Sequence, residues 1–352
     1  MNSVSSATSG WFFQGTHRLT SWETTGGYDS ARSLHLRASD RGDQVADRVR
    51  APFTAAFPTG QVGTIRAKVR WLRGWPEILI RFKGGHLEAV GHLAVPSNLG
   101  TPGARNSRTL ANAGPAIYEV SHRPVLPPAN QPIRVTARVE DPDGITSVRV
   151  KYRIDPATNL FPVAMTDDGA NGDLVAGDGV YTGLIPGQPT GTLVAFRIEA
   201  TDAFSPPATT GFPADAPVRE CLVRVGETMP AGAFGTYRFW LTQATFDFWS
   251  NREKTSNENV DTTFVYGTNR VFYNIGAHYS GSPYTSPSYT TPTGALCGYD
   301  LVFPADDLML GSDHLIFDWP VRDDTNQREQ LMFWFLEQFG LPNNYRRYIN
   351  LF

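Results

Sequence analysis

The sequence has few cysteines, no long apolar run and no leader-like start. Its two cysteines, Cys221 and Cys297, lie far apart and form no CxxC pair, so neither a zinc site nor a disulfide framework can be inferred from them. Both are expected to be buried free thiols in different domains. No apolar run is long enough to span a bilayer, and the first residues lack the basic start and apolar centre of a signal peptide. The sequence therefore predicts no membrane insertion within this chain.

Charge and known catalytic motifs are also scarce. Charged residues make up 18% of the chain and the net charge is −3, so there is no basic field to attract nucleic acid or an anionic membrane. Nucleic acid is therefore not expected as a partner. The sequence has no HExxH, no GxSxG elbow and no GxGxxG after a strand, and its seven histidines are scattered. Hydrolase and oxidoreductase functions thus lack a recognisable site, and structural roles are the default for the histidines.

Glycine, proline and aromatic residues are abundant instead. The chain has 33 glycines, 26 prolines and 12% aromatic residues, a composition that favours short strands joined by many turns. Its 352 residues amount to about twice a common domain size. We predict a mainly β, multidomain protein with three domains, at residues 1–111, 112–226 and 227–352. Both ends look internal to a longer protein, because the chain starts without a leader and stops where RRYINLF begins a strand.

The first predicted domain contains segments of strand type at 32–38, 63–72 and 77–84. From Thr64 to Trp71 apolar and charged residues alternate, which is the period of a half-buried antiparallel strand. Polar turns rich in Gly, Asn and Ser separate the segments. We predict a jelly-roll-like β-sandwich.

Two tryptophans of this domain, Trp71 and Trp75, are candidate carbohydrate-binding residues. Sugars stack their C–H faces on exposed aromatic rings, and Trp22 and His86 lie in the same domain. The alternative is that the rings are buried in a core. The regular alternation favours the core for Trp71, whereas Trp75 lies in a Gly-Trp-Pro turn and is the better candidate for exposure.

The second predicted domain repeats strand and turn signals at short spacing. Runs such as IRVTARVE, SVRVKYRI and TLVAFRIEATD are separated by turns of Pro, Gly and Asp, and no helical period interrupts them. This pattern favours an immunoglobulin-like β-sandwich.

One loop of the second domain concentrates short oxygen-bearing side chains between glycines. Its candidate calcium ligands are Asp167, Asp168, Asn171, Asp173 and Asp178. Calcium takes about six to eight oxygen ligands and tolerates flexible loops, so the composition suits it. The spacing is not that of an EF-hand, and Asx turns without metal explain the same residues, because Asp and Asn bond their own backbone and Gly accepts positive φ. Both interpretations stand at this stage.

The third predicted domain begins with an aromatic strand, continues with a hairpin around Gly267-Thr268-Asn269, and carries one long helix that ends at Gly340.

Four segments carry a family resemblance: RFWLTQATFDFWSNREKTSNENVDTTFVY, VFYNIGAHYSGSPY, YDLVFPADDLMLG and DDTNQREQLMFWFLEQFGLPNNYRRYINLF. In order and spacing they resemble the start of the CotH kinase family, atypical secreted kinases first associated with bacterial spore coats. The resemblance covers the third domain alone and implies an incomplete α+β kinase-like first lobe.

The resemblance implies a fold that binds ATP and magnesium, with a lysine that reaches the phosphates. Family members commonly read Lys-Lys-Ser-Tyr-Arg where this chain reads Leu296-Cys297-Gly298-Tyr299-Asp300, so the expected cation is missing. Arg328 matches the arginine that opens the helix and is the candidate nucleotide-binding residue. It either faces a phosphate or braces the helix, and we prefer the brace. The family's catalytic and metal-binding aspartates belong to a second lobe that would follow Phe352, so no catalysis by this chain is expected.

The first two domains resemble, more loosely, the accessory modules of large bacterial lamin-tail and CotH surface proteins. Together the resemblances imply part of a secreted or cell-surface modular protein, whose kinase-like domain would phosphorylate protein if complete. The alternative is a non-catalytic adhesion or carbohydrate-binding surface protein. The partners expected are a polysaccharide or a surface protein.

Overall fold

The chain divides into two compact units in the computed structural model. The residues described are 10–40, 46–52, 58–81, 88–96, 103–105, 109–232, 234–280, 292–293, 298–318, 323–344 and 346–352. The smaller unit comprises Met1–Phe12, Ser21–His35 and Arg50–Ala111, and the larger unit comprises Phe13–Thr20, Leu36–Val49 and Asn112–Phe352. Most described secondary structure is strand, so the mainly β, multidomain prediction is confirmed.

The described residues form twenty strands and three short helical segments. The strands are β1 (Phe12–Phe13), β2 (Ser21–Glu23), β3 (Ser33–His35), β4 (Val49–Arg50), β5 (Glu77–Arg81), β6 (Glu88–His92), β7 (Ala116–Arg123), β8 (Ile133–Glu140), β9 (Ile145–Ile154), β10 (Phe161–Met165), β11 (Val180–Ile185), β12 (Leu193–Asp202), β13 (Thr209–Phe212), β14 (Cys221–Arg224), β15 (Gly235–Trp240), β16 (Val260–Tyr266), β17 (Arg270–Tyr279), β18 (Tyr299–Val302), β19 (His314–Phe317) and β20 (Ile349–Leu351). The helices are a 3-10 turn at Gly15–His17, α1 (Gln243–Asn251) and α2 (Arg328–Gln338). Neither α-helix among the described residues has the length and apolarity needed to cross a bilayer.

The smaller unit contains two-stranded ladders, β2 with β3 and β5 with β6. The strand predicted at 63–72 is wrong, because those residues pair with no strand of the described chain, and Ile65 and Val69 are exposed. Alternating residues form a strand only where a neighbouring ladder satisfies the backbone groups, and sequence periodicity does not supply that neighbour. The jelly-roll-like sandwich stays a prediction.

In the larger unit, residues 112–226, hereafter the middle block, form two sheets around one core. One sheet has the order β10-β9-β12-β13, with β14 also paired to β12, and the other has the order β11-β8-β7. Buried residues alternate along β8, where Ile133, Val135, Ala137 and Val139 point into the core, and they pack with buried residues of the first sheet. The block therefore consists of two sheets around one core, and the immunoglobulin-like β-sandwich stays a prediction.

Residues 227–352, hereafter the third block, form a six-stranded sheet in the order β19-β18-β17-β16-β15-β20. All neighbours are antiparallel except β15 and β20, which are parallel. The β16–β17 hairpin turns at Gly267, whose φ of 59° lies in the left-handed region that glycine tolerates. One face of the sheet is buried under an aromatic cluster that includes Trp249 of α1. Helix α1 begins where Thr242 caps it, with Oγ1 accepting a hydrogen bond from the backbone N–H of Thr245 at 3.1 Å.

The middle and third blocks share an apolar cluster. Its members are Val125, Leu193, Ala195, Leu222, Trp240 and Val265. The backbone N–H of Leu222 also donates to Thr263 Oγ1 at 3.0 Å, across the boundary predicted near Val225. The two predicted domains are thus parts of one compact unit.

Two segments of the first predicted domain, Phe13–Thr20 and Leu36–Val49, also belong to the larger unit. Buried Asp47 accepts hydrogen bonds from the backbone N–H of Thr16 and from Ser256 Oγ, both at 3.0 Å. Arg18 pairs with Glu258 at 2.8 Å. These polar contacts fix both segments to the third block.

Candidate functional site

The Asp-rich loop lies between β10 and β11 and is closed at its base by a bridge between Thr166 and Thr182. Three of its carboxylates, from Asp167, Asp173 and Asp178, offer oxygens within 4.8 Å of one another. Asp173 is buried and Asp178 is exposed. The structure thus brings together three of the five predicted calcium ligands.

Backbone N–H groups hold these carboxylates in place. Asp167 accepts hydrogen bonds from Gly177 at 2.7 Å and from Gly179 at 2.9 Å, and Asp173 accepts one from Gly169 at 2.6 Å. Asp167 Oδ1 also accepts from the N–H of Asp178 at 3.2 Å, which occupies both of its lone pairs. Asp167 Oδ2 and Asp173 Oδ2 each accept one of these bonds, so each keeps a lone pair for a cation. Asp168 instead caps its own turn through the N–H of Ala170 at 2.9 Å. The contacts expected for Asx turns are present, and they arrange the oxygens that a calcium ion would use.

The two candidate tryptophans of the smaller unit differ in exposure. Trp75 is 80% exposed, and its indole N–H donates to Glu77 Oε2 at 2.8 Å. Trp71 is half-buried, and its indole N–H donates to the carbonyl of Gly74 at 3.0 Å. Trp75 therefore offers the more accessible ring. His86 lies outside the described residues.

Arg328 is the first residue of α2 and contacts Asp323, which lies four residues before the N-cap residue Gln327. The carboxylate of Asp323 accepts hydrogen bonds from the backbone N–H of Arg328 at 2.6 Å and from Thr325 Oγ1 at 2.6 Å. Arg328 Nε lies 3.7 Å from the same carboxylate. The Thr325 hydroxyl, more than any other neighbour, lowers the pKa of Asp323, so this acceptor is charged at neutral pH. The Asp323 carboxylate thus satisfies the backbone N–H of the first residue of α2, whereas the side chain of Arg328 is 76% exposed.

A cleft of about 1980 Å³ lies between the six-stranded sheet, α2 and one end of the middle block. Tyr237, Phe239 and Tyr299 supply part of its aromatic wall. Its side chains of fixed charge are Asp155, Arg224, Glu227, Asp318, Glu329, Arg346 and Arg347. Arg328 is not part of this lining, although Glu329 and Gln330 beside it are.

The arginines of the cleft are engaged with neighbouring side chains. Arg346 Nη1 lies 2.5 Å from Glu329 Oε2, and Arg224 Nε lies 3.3 Å from Glu227 Oε1. The guanidinium of Arg347 stacks 5.2 Å from the ring centre of Tyr237. Among the described residues of the lining, three arginines thus face four carboxylates, and this part of the cleft concentrates no positive charge.

Cys221 is a fully buried free thiol in β14. Burial, together with the nearby carboxylates of Asp261 and Glu220, raises its pKa well above the usual value, so it is not an activated nucleophile. Cys297 and Leu296, at the position of the family's lysines, lie outside the described residues.

Two titratable groups between the middle and third blocks, the buried His122 and the partly buried Asp261, were not predicted from the sequence. Burial lowers the pKa of His122 to about 4. Burial also raises the pKa of Asp261 to about 7, although the backbone N–H of Glu220 donates to it at 3.0 Å. Each lies among other polar residues on its strand, AIYEVSHR in β7 and VDTTFVY in β16, so no motif marks them.

No protein-family model matches the sequence, and a search of curated proteins finds no significant match. The resemblance to CotH kinases therefore stays a prediction.

Proposed function

We propose that this chain is a non-catalytic binding and scaffolding part of an extracytoplasmic, surface-associated modular protein, with a third block of CotH-kinase-like fold. The order of elements supports the fold, because β15, the β16–β17 hairpin, β18 and β20 come from the segments that carry the resemblance and belong to one sheet. In this account the kinase-like fold presents surfaces and does not transfer phosphate.

The observation that carries the proposal is the charge balance of the cleft. Phosphoryl transfer needs uncompensated positive charge at the phosphates and carboxylates that hold magnesium. Here Arg346 and Arg224 are paired with Glu329 and Glu227. A nucleotide would have to break these ion pairs before it could use the arginines, so the cleft favours other ligands.

The position of Arg328 supports the same conclusion. Its contacts with Asp323 are those of a brace at the start of α2. A residue that held a nucleotide phosphate would need to face the cleft, and Arg328 is absent from the cleft lining.

Equilibrium binding of a fluorescent ATP analogue with magnesium tests this assignment. We expect weak or no binding by the whole chain, and Arg328→Ala should lower the melting temperature without changing nucleotide binding. Arg219→Ala is the matched control, because Arg219 is an exposed arginine paired with Asp215 on the middle block. Tight binding that Arg328→Ala abolishes and Arg219→Ala preserves would assign Arg328 to a nucleotide site and overturn the proposal.

A carbohydrate-binding role for the smaller unit is the second candidate function, and the exposure of Trp75 favours it. An accessible indole ring can stack on a sugar, and the hydrogen bond to Glu77 holds the ring in one orientation. A glycan array on the whole chain tests this role. Binding that Trp75→Ala removes and Trp71→Phe retains supports it, whereas a blank array or binding unchanged by Trp75→Ala rejects it.

A calcium ion in the Asp-rich loop is the cofactor that we propose for the middle block. The three close carboxylates support it, because like charges at this separation repel unless a cation or hydrogen-bond donors compensate them. In this account calcium stiffens the loop and takes no part in a reaction.

A further inference from the structure

Three neighbouring strands of the third block place two histidines around one carboxylate. His278 of β17 is the direct cross-strand partner of Asp300 of β18, and His314 of β19 lies two pairs further along, opposite Val302. His278 Nε2 lies 3.7 Å from Asp300 Oδ2, and His314 Nδ1 lies 3.1 Å from Asp300 Oδ1. The carboxylate is therefore flanked by one imidazole on each oxygen.

A chain of hydrogen bonds fixes which nitrogen of His278 carries the proton. Asn259 Nδ2 donates to Asp40 Oδ2 at 2.9 Å, and this contact orients the amide because a carboxylate only accepts. Asn259 Oδ1 then faces His278 Nδ1 at 2.9 Å. An amide oxygen also only accepts, so Nδ1 of His278 must be the donor.

The other ring nitrogen of His278 consequently presents a lone pair to Asp300. A protonated Nε2 would approach the carboxylate to about 2.8 Å as a charge-assisted hydrogen bond, and 3.7 Å is too long for one. Two acceptors that face each other across this gap repel unless a cation or a hydrogen-bond donor lies between them. We propose that His278, Asp300 and His314 form a binding site for a divalent transition-metal ion of the zinc class, with Asn259 as the positioning residue for His278.

The set of ligands selects the class of metal. Imidazole nitrogen together with one carboxylate suits Zn²⁺, Co²⁺ and Ni²⁺, whereas Ca²⁺ and Mg²⁺ prefer oxygen alone. A histidine that donates its second ring N–H to a fixed acceptor is the usual arrangement around such metals. Asp40 and Asp300 supply two negative charges near the site, against the one positive charge of Arg252 that acts on His278.

The three proposed ligands differ in exposure, so two of the side chains are fixed and the third is able to rotate. The side chains of His278 and Asp300 are 13% and 19% exposed, whereas that of His314 is 50% exposed. His278 Nε2 and Asp300 Oδ2 are already close to the separation of two ligands on one metal ion. His314 Nδ1 is hydrogen-bonded to Asp300 Oδ1 at 3.1 Å, so its half-exposed ring has to rotate to supply the third ligand when the metal binds.

Titration of the whole chain with Co²⁺, followed by the d–d absorption of the bound ion and by displacement with Zn²⁺, tests the proposal. We expect one Co²⁺ in a low-symmetry site that Zn²⁺ displaces. His278→Ala and Asp300→Asn should abolish the absorption. Asn259→Ala should weaken binding about 10- to 100-fold, as outer-shell substitutions do.

Three control variants separate this site from other metal-binding groups. His92→Ala removes an exposed histidine that contacts Glu77 in the smaller unit, Cys297→Ser removes a thiol, and Asp173→Asn alters the Asp-rich loop. All three should leave the Co²⁺ absorption unchanged. Should His278→Ala fail to fold, as judged by circular dichroism, His314→Ala decides, because its side chain is half-exposed. Absence of Co²⁺ binding, or binding that His314→Ala leaves unchanged, overturns the proposal.

Discussion

His122 Nδ1 lies 2.5 Å from Tyr273 Oη, and this buried hydrogen bond joins β7 of the middle block to β17 of the third block. His122 Nε2 lies 3.2 Å from the carbonyl of Val125, which only accepts, so Nε2 carries the proton. Nδ1 therefore accepts from the tyrosine hydroxyl. The imidazole is neutral, fully paired and shared by both blocks.

Loss of the Tyr273 hydroxyl should destabilise the larger unit. Tyr273→Phe leaves the lone pair of His122 Nδ1 buried without a donor, at a cost of about 1–3 kcal/mol in the free energy of unfolding. Urea unfolding followed by tryptophan fluorescence measures the change. Tyr28→Phe is the control, since Tyr28 is 73% exposed in the smaller unit, and it should change stability by less than about 0.5 kcal/mol. Equal effects of the two substitutions would refute the buried link.

Asp261 should make the larger unit less stable as the pH rises. Its pKa is raised from 3.8 to about 7 in the folded chain. Between these values the folded state holds a proton that the unfolded state has released, so the free energy of unfolding falls as the pH rises and levels off above about pH 7. The difference in pKa corresponds to at most about 4 kcal/mol.

Asp261→Asn removes this titration and should stabilise the chain relative to the original sequence, increasingly so toward pH 7. Denaturant unfolding at a series of pH values measures the difference. Asp215→Asn, at an exposed aspartate paired with Arg219, should change stability little at any pH. A stability difference for Asp261→Asn that is independent of pH would contradict the assignment.

His122 contributes a pH dependence of the opposite sign. Its pKa is lowered from 6.5 to about 4, so the unfolded state binds more protons between these values and the free energy of unfolding rises with pH. In the original sequence the two groups oppose each other between about pH 4 and pH 6.5. In the Asp261→Asn variant the free energy of unfolding should therefore rise with pH between about pH 4 and pH 6.5, because His122 titrates there without the opposing effect of Asp261.

Calcium should raise the melting temperature of the whole chain, if the Asp-rich loop binds it, through preferential binding to the folded state. Asp173→Asn should remove the increase, since Asp173 is the buried member of the carboxylate group. Asp141→Asn is the matched control, because Asp141 forms an Asx turn with the N–H of Asp143 at 2.8 Å outside this loop. An unchanged melting temperature at millimolar calcium rejects the metal and leaves metal-free turns.

The segment 112–226 should be less stable alone than in the intact chain. The boundary predicted near Val225 implies independent folding, but Leu193 and Leu222 are covered by Trp240 and Val265 of the third block. Separation exposes this apolar cluster, which favours self-association. Thermal unfolding and sedimentation of the isolated segment measure both effects. A monomer as stable as the intact chain would show that the cluster contributes little.

The sequence predicted best where local pattern decides structure. The alternation in β8, the turn at Gly267 and the end of α2 before Gly340 were all visible from residue spacing. The strand predicted at 63–72 failed because alternation does not say whether a partner strand lies beside it. Contacts that depend on the register between strands distant in the sequence could not be predicted from residue spacing either.

The pairing of His278 with Asp300 illustrates this limit. The two residues belong to separate segments, and only the antiparallel register of β17 and β18 makes them opposite neighbours. His122 and Tyr273 are further apart still, and their hydrogen bond depends on how two sheets pack. The sequence alone therefore favoured structural roles for all the histidines.

Transfer of labelled phosphate from ATP, with magnesium or manganese, tests the central claim most directly. The whole chain is assayed with itself and with casein as acceptors, beside a heat-killed control. The paired arginines of the cleft and the absence of a lysine at Leu296 and Cys297 predict no incorporation above the control. Incorporation above the control, lost in Arg328→Ala but not in Arg219→Ala, would contradict the non-catalytic function and assign Arg328 to phosphate binding.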